Sequence, residues 1–253
     1  MDNFKKVATD LAYEAGKIMK QNFSLGMKKE WKSDGTPLTE TDTAVNSLVI
    51  RTLSENFPDH SILGEEESRM IEGSDYTWVC DPVDGTAAFS HGYPTFVFSL
   101  ALTKNGVSIL GVIYDPMLDR LLMGVKGRGA TLNGKKISVS KKDSFKGAFI
   151  NLDSEEKLSG LKAYLDEYSW VSTLFSAVYA SLLVACGEFD GEVFELKILG
   201  TPRLLKIIVE EAGGKVTDLD GNEQRYDQKI NGFIASNGIL HEQLVQKIKA
   251  LKA

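Results

Sequence analysis

Two cysteines in 253 residues are too few for a disulfide framework. Cys80 and Cys186 each lie in an apolar stretch, so both are expected as buried free thiols of a reducing cytosol. Histidine is nearly as scarce: His60, His91 and His241 are scattered, and none shows the paired spacing of a zinc site. That disfavours zinc chemistry and an imidazole base. No apolar run approaches the roughly 20 residues of a membrane span, and the N-terminus lacks the apolar block of a signal peptide. The expectation is a soluble cytoplasmic protein without a membrane partner. Basic residues are outnumbered, 29 against 35 acidic ones, for a net charge of -6 with no basic stripe; nucleic acid is disfavoured as a partner. Neither G-x-x-x-x-G-K-[ST] nor G-x-S-x-G occurs, which argues against a P-loop enzyme and an α/β-hydrolase.

What is present divides into two textures. Phe4, Val7, Ala8, Leu11, Ala12, Ala15, Ile18 and Met19 fall at helical spacing and predict an amphipathic N-terminal helix. A second helix is predicted over 41–56, ended by Phe57-Pro58. From Thr95 to Val139 the pattern turns to strands, punctuated by Asn105-Gly106, Asp115-Pro116 and Asn133-Gly134, and predicts an antiparallel meander. Beyond "SKKDS" strand and helix alternate: strand 148–152, helix 155–165, strand 170–174, helix 176–186, strand 192–196, helix 202–212, strand 233–235 and helix 240–251. The chain therefore reads as two halves of one compact body joined by a short hinge near Ser140. Residues 1–140 form an N-terminal α+β half with the antiparallel sheet and the acidic motifs, and 141–253 a C-terminal α/β half that completes the site.

The chemistry concentrates in "WVCDPVDGTAAFSHG", where Asp81 and Asp84 stand three residues apart around a proline. Like charges that close repel, so a partner is needed. Trp78, Val79 and Cys80 read as a strand running into Asp81, and Gly85-Thr86 opens a turn or helix whose free N–H groups suit an anion. A divalent cation under a phosphate would satisfy both halves. The alternative is an Asp-Pro turn followed by an Asp-Gly turn. On these residues alone both readings stand. "ILGEEES" adds Glu65, Glu66 and Glu67; on an extended chain Glu65 and Glu67 would face one way and Glu66 the other. In "KSDGTPLTETD", Thr39 and Asp42 lie at a helix start, where an N-cap is the ordinary role.

Together these segments resemble the inositol monophosphatase superfamily, Mg²⁺-dependent phosphatases of small phosphomonoesters. The matching pieces are Thr39 to Asp42, Gly64-Glu65-Glu66, the run Asp81-Pro82-Val83-Asp84-Gly85-Thr86, the Gly-x-x-Asp of Gly187 to Asp190, and "EAGG" from Glu211 to Gly214. They span nearly the whole chain in the family's order. The resemblance implies a layered αβαβα sandwich of the sugar-phosphatase type, α+β in one half and α/β in the other. It makes Glu65, Asp81 and Asp84 metal ligands through carboxylates and Val83 one through its carbonyl, with Mg²⁺ as cofactor and Mn²⁺ as its alternative. It makes Asp42 and Thr86 catalytic, orienting the attacking water, with Glu66 beside them. Gly85, Thr86, Ser176 and Glu195 fall on the substrate side. The implied partner is a small phosphorylated metabolite, and the implied assembly a homodimer.

One part of the pattern is broken. The family carries another ligand aspartate, usually as Trp-Asp, at the start of the helix leading into "EAGG"; counting back, this chain has Gly200 and Thr201 there. Thr201-Pro202 makes a good N-cap and N1 pair, but the carboxylate is gone. Arg203 and Leu204 replace small residues, and Phe175 stands where the family usually has glycine. Three readings follow: Glu195 or Asp190 substitutes as a ligand, the second metal binds weakly, or the chain is a weakened or inactive member acting as a binding or regulatory homodimer.

Overall fold

The computed structural model describes residues 1–33, 35–153, 158–198, 201–223 and 230–252. Helix α1 (Asp2–Asn22) buries Val7, Ala8, Leu11, Ala12, Ala15 and Met19, the stripe its spacing predicts. A two-stranded arm follows, β1 (Glu30–Trp31) antiparallel to β2 (Pro37–Leu38), and leads into α2 (Glu40–Asn56). Next come β3 (Ser61–Gly64), β4 (Tyr76–Asp84), the short helix α3 (Thr86–Ser90), β5 (Val97–Lys104), β6 (Val107–Asp115), β7 (Arg120–Val125), β8 (Gly129–Leu132) and β9 (Lys135–Lys136). Strands β3 to β9 form a seven-stranded sheet in sequence order. Only the β3–β4 pair is parallel. The meander turns carry the chemistry that the sequence announces: Asn105 and Gly106 have φ of 49° and 79°, and Asn133 and Gly134 have 47° and 79°, as a tight hairpin turn requires.

The second half contains β10 (Phe149–Asp153), α4 (Ser159–Tyr168), β11 (Trp170–Ser172), α5 (Ala177–Ala185), β12 (Gly191–Ile198), α6 (Thr201–Glu211), β13 (Lys215–Thr217), β14 (Ile230–Ser236) and α7 (His241–Lys252). Its five strands run in the order β11-β10-β12-β14-β13, with β10 parallel to both β11 and β12. Three apolar clusters define the layers. Helices α1 and α2 cover one face of the seven-stranded sheet with Leu11, Met19, Val45 and Leu53 against Trp78, Phe98 and Leu100. Helices α5 and α6 lie between the sheets, where Leu182, Leu205 and Ile208 meet Ile113 and Leu122 on one side and Phe194 and Phe233 on the other. Helices α4 and α7 close the far face through Leu161, Leu165, Leu244 and Ile248. That is the αβαβα sandwich. Because β5 is covered on both faces, Val97 to Thr103 are buried without alternation.

Several boundaries differ from the sequence reading. Helix α4 runs to Tyr168 rather than 165, and the predicted start at 155 lies outside the described residues. Strand β11 stops at Ser172 because side chains take over the pairing: Thr173 Oγ1 donates to the Leu152 carbonyl (2.9 Å), and the Leu174 N–H donates to Asn151 Oδ1 (3.2 Å). Cys80 is buried as expected, whereas Cys186, at the C-terminal end of α5, is only half-buried; neither is in a disulfide. Helix α6 opens at Thr201 itself, one residue ahead of the cap role expected for it, and Gly200 lies outside the described residues. Among the described residues no helix is long and apolar enough to cross a membrane.

Two of the satellite motifs hold the frame. In "EAGG", Glu211 accepts the Gly127 and Gly129 N–H groups, both at 2.7 Å, tying α6 to the turn between β7 and β8. Gly213 sits at φ 93°, and a Cβ on Gly214 would lie 2.5 Å from the Ser236 carbonyl, so only glycine ends the helix here. In Gly-x-x-Asp, Asp190 accepts bonds from Ser140 Oγ and the Phe149 N–H (2.8 Å). It therefore ties the segment at Ser140 and the start of β10 to the residue before β12.

Candidate active site

The spacing of Asp81 and Asp84 is resolved by a bulge. In a regular strand residues three apart face opposite ways, but Asp81 pairs with Ser99 and Asp84 with Val97, so three steps on β4 match two on β5. The extra residue at Pro82-Val83 turns both aspartates to one side. Gly85 follows at φ 89°, and a Cβ there would lie 2.7 Å from the Thr95 carbonyl and 2.8 Å from Ser176 Cβ. Glycine is required at 85 for both the turn and the close approach.

The other residues arrive from separate elements. In the parallel β3–β4 pair, Gly64 lies opposite Cys80, which brings Glu65 beside Asp81; the two side chains share a hydrogen bond. Asp42 lies in the first turn of α2, where its Oδ2 accepts the Thr39 N–H at 2.8 Å as the N3 member of a capping box. Its Oδ1 faces Thr86 Oγ1 at 3.1 Å, and Thr86 Oγ1 is also 2.8 Å from the Val83 carbonyl. Asp42 thus serves as both helix cap and site residue. Ser176, the N-cap of α5, donates its hydroxyl to Asp84 Oδ1, which also accepts the Val178 N–H at 2.9 Å.

Burial makes this cluster electrostatically expensive. Asp81 is pushed well above the usual carboxylate range, first by desolvation and then by Glu65, Asp84 and Asp42. Asp84 is raised to about 7, chiefly by burial, against the pull of its bonds from Ser176 and Val178. Asp42 is raised to about 6, again chiefly by burial, with the Thr39 bonds opposing. These carboxylates call for positive charge. Their donor set, carboxylate and carbonyl oxygens, suits a hard divalent cation. Among the described residues no three acidic, histidine or cysteine side chains are already drawn into one cage; Glu65 is held by a lysine, and Asp84 Oδ1 is turned to the end of α5.

That lysine departs from the sequence expectation. Glu65 and Glu66 do not face opposite ways: the chain bends after Gly64, and both carboxylates reach Lys32 Nζ, at 2.8 and 2.6 Å. Lys32 lies in the β1–β2 arm, more than 30 residues upstream, a contact that no local pattern reveals. Asp190, considered as a substitute ligand, is committed to Ser140 and the Phe149 N–H, four residues of parallel strand from Asp153 at the site end and so about 13 Å away. Glu195 is half-buried on β12, at the register shift between Phe194 and Lys197. Of Thr201, Arg203 and Leu204 only the helical backbone is described.

Two acidic residues missed from the sequence belong to this neighbourhood. Asp153, 7% exposed at the end of β10, acts electrostatically on Asp84, and the fully buried Glu192 on β12 senses both. Asp153 binds Asn151 Nδ2 at 2.7 Å, and Glu192 accepts from Ser181 Oγ. The available signal was an aspartate closing a parallel strand, the end of an α/β sheet where sites gather.

A layered αβαβα sandwich with a buried acidic cluster between strand β4 and the heads of α2 and α5 defines a class of metal-dependent phosphoric monoester hydrolases. The profile of the inositol monophosphatase family matches residues 1–253, and the chain belongs to that family. It is 33% identical to inositol monophosphatase 1 of Solanum lycopersicum over 98% of this chain and 96% of that protein. It is also 33% identical to a fructose-1,6-bisphosphatase/inositol-1-monophosphatase of Aquifex aeolicus, over 98% and 97%. Among solved structures, an IMPase of Thermotoga maritima superposes with a TM-score of 0.90 at 30% identity, covering 100% of this chain and 98% of the other.

Proposed function

We propose that this chain hydrolyses a small phosphomonoester by direct attack of water, with Mg²⁺ or alternatively Mn²⁺ held by Glu65, Asp81, Asp84 and the Val83 carbonyl. Cations bound there would neutralise the acidic cluster, acidify a bound water and steady the leaving oxygen. The chain's own residues supply the rest. Thr86 Oγ1 takes the water's proton as it passes its own to Asp42 Oδ1, and the raised pKa of Asp42, about 6, suits a group that must accept a proton near neutrality. The N–H groups of Gly85 and Thr86 face the phosphate, Ser176 and Glu195 line the substrate side, and Glu66 adds negative charge beside Glu65. Asp153 adds a further carboxylate whose charge acts on Asp84. No covalent phosphoenzyme is involved. The reading extends to a cytoplasmic homodimer.

The observation that carries this reading is the Asp42–Thr86 contact beside the bulged aspartate pair. It joins helix α2 to the first residue of α3, 44 residues further along the chain. The test is phosphate release from a phosphomonoester panel with Mg²⁺ and Mn²⁺. Asp42→Asn should lower kcat by roughly 10², and Asp81→Asn should abolish the rise in melting temperature that added Mg²⁺ gives the parent protein. No release from any ester, with no cation bound at millimolar concentration, would overturn the proposal.

A further inference from the structure

Phe175 carries a contradiction between its residue type and its backbone. Its φ is 57°, a conformation that glycine takes freely and bulky residues avoid. Its neighbours hold it there: the Leu174 N–H donates to Asn151 Oδ1 and the Leu174 carbonyl accepts from Thr95 Oγ1 at 2.9 Å, while the Phe175 N–H binds the Asp153 carboxylate. Ser176, the next residue, donates to Asp84 and would touch any Cβ placed on Gly85. The Phe175 backbone is thus bonded into the surround of the acidic cluster.

The side chain gains nothing from the core in return. Leu174 packs into the central cluster, but Phe175 is 57% exposed. A strained backbone maintained by its surroundings, bearing an exposed aromatic ring next to reacting groups, points to recognition rather than stability. We infer that Phe175 is a specificity-determining residue whose ring stacks on the carbon body of the substrate, so that the preferred phosphomonoester carries a ring or flat apolar face close to its ester oxygen. This rests on the phosphatase reading for the position of the phosphate.

The test compares binding of phenylphosphonate and methylphosphonate, neither of which can be hydrolysed at a P–O ester, in the presence of Mg²⁺. Calorimetry should show the parent protein binding the phenyl compound about 5- to 10-fold more tightly, the range expected for one aromatic pair. Phe175→Gly and Phe175→Leu should both erase that preference, and Phe175→Trp should keep it. Phe175→Gly should also melt about 2–4 °C higher, because glycine relieves the backbone; Phe175→Leu should not, which separates strain from stacking. A preference that survives in Phe175→Gly, equal binding of the two compounds by the parent protein, or binding of neither, would overturn the inference. Failure to release phosphate from any ester would instead count against the phosphatase reading, since the binding comparison does not depend on turnover.

Discussion

Asp84 and Asp115 are both buried aspartates closing strands of the seven-stranded sheet, and both connect to helix α5, yet their surroundings are opposite. Asp115 meets a full set of partners: Arg120 donates through Nε at 2.9 Å and Nη2 at 2.6 Å, and the Met117 and Leu118 N–H groups add two more bonds. Arg120 also donates to Tyr179 OH on α5. Asp84 receives bonds from Ser176 and Val178 at the head of the same helix, while the charges that act on it most are the carboxylates Glu65 and Asp153. One aspartate is neutralised by the fold. The other is left with its charge to be balanced from outside, which is how a functional acid differs from a structural one.

The largest expected effect breaks this contrast from the structural side. Arg120→Met removes the cation and strands Asp115, fully buried, in the interior; about 3–5 kcal/mol of stability should be lost, measured by denaturant unfolding. The matching change on the other side, Asp84→Asn, keeps an oxygen to accept the Ser176 and Val178 bonds while removing the buried charge. Without divalent cations that variant should be at least as stable as the parent. A loss comparable to Arg120→Met would show that Asp84 is as structural as Asp115.

The next effect follows from pH. Asp84 titrates near 7 in the folded chain and near 3.9 when unfolded, so between these values the native state binds more protons than the unfolded one. Stability should therefore fall as pH rises from about 4 to 7 in the presence of a chelator, by at most about 4 kcal/mol from this group. On the proposed reading, added Mg²⁺ would bind the charged form in the native state only and should flatten the slope. Asp84→Asn should flatten it without metal. A slope unchanged by either would remove the electrostatic basis of the site.

The same contrast explains which parts were legible in the sequence. The signature from Asp81 to Thr86 is contiguous, and its resemblance to a family identifies it at once. Its geometry was not legible, because the bulge that aligns Asp81 with Asp84 depends on the pairing with Ser99 and Val97. The meander and the helices α1 and α2 were legible because Asn-Gly turns and apolar periodicity are local signals. Asp153 and Lys32 were not, since each reaches the site through a register or a hairpin arm that only the folded chain sets. Glu211, Gly214 and Asp190 stood out as motif residues alongside the acidic ones, and only their hydrogen bonds and close contacts reveal them as framework.

The smallest expected effect concerns Lys32, which stands between the two cases. Burial works against its charge, but Glu65 and Glu66 outweigh that and hold its ammonium above the usual lysine range. It plays toward Glu65 the part that Arg120 plays toward Asp115, with one difference. Arg120 grips a fully buried carboxylate through two nitrogens, whereas Lys32, no more exposed itself, makes single-point contacts from a short arm to carboxylates that are partly open to solvent, and can be displaced. A cation using Glu65 competes with that ammonium. Lys32→Met should therefore tighten Mg²⁺ binding by about 3- to 10-fold, the size of one like-charge repulsion at a partly solvated site. It should change the melting temperature of the metal-free protein little, since pairs of this kind contribute about 1 kcal/mol or less. Calorimetric titration with Mg²⁺ measures the first effect and thermal unfolding in chelator the second. Weaker Mg²⁺ binding in the variant would mean that the arm shapes the site more than it competes for it, and Lys32 would then belong with Arg120 as part of the frame.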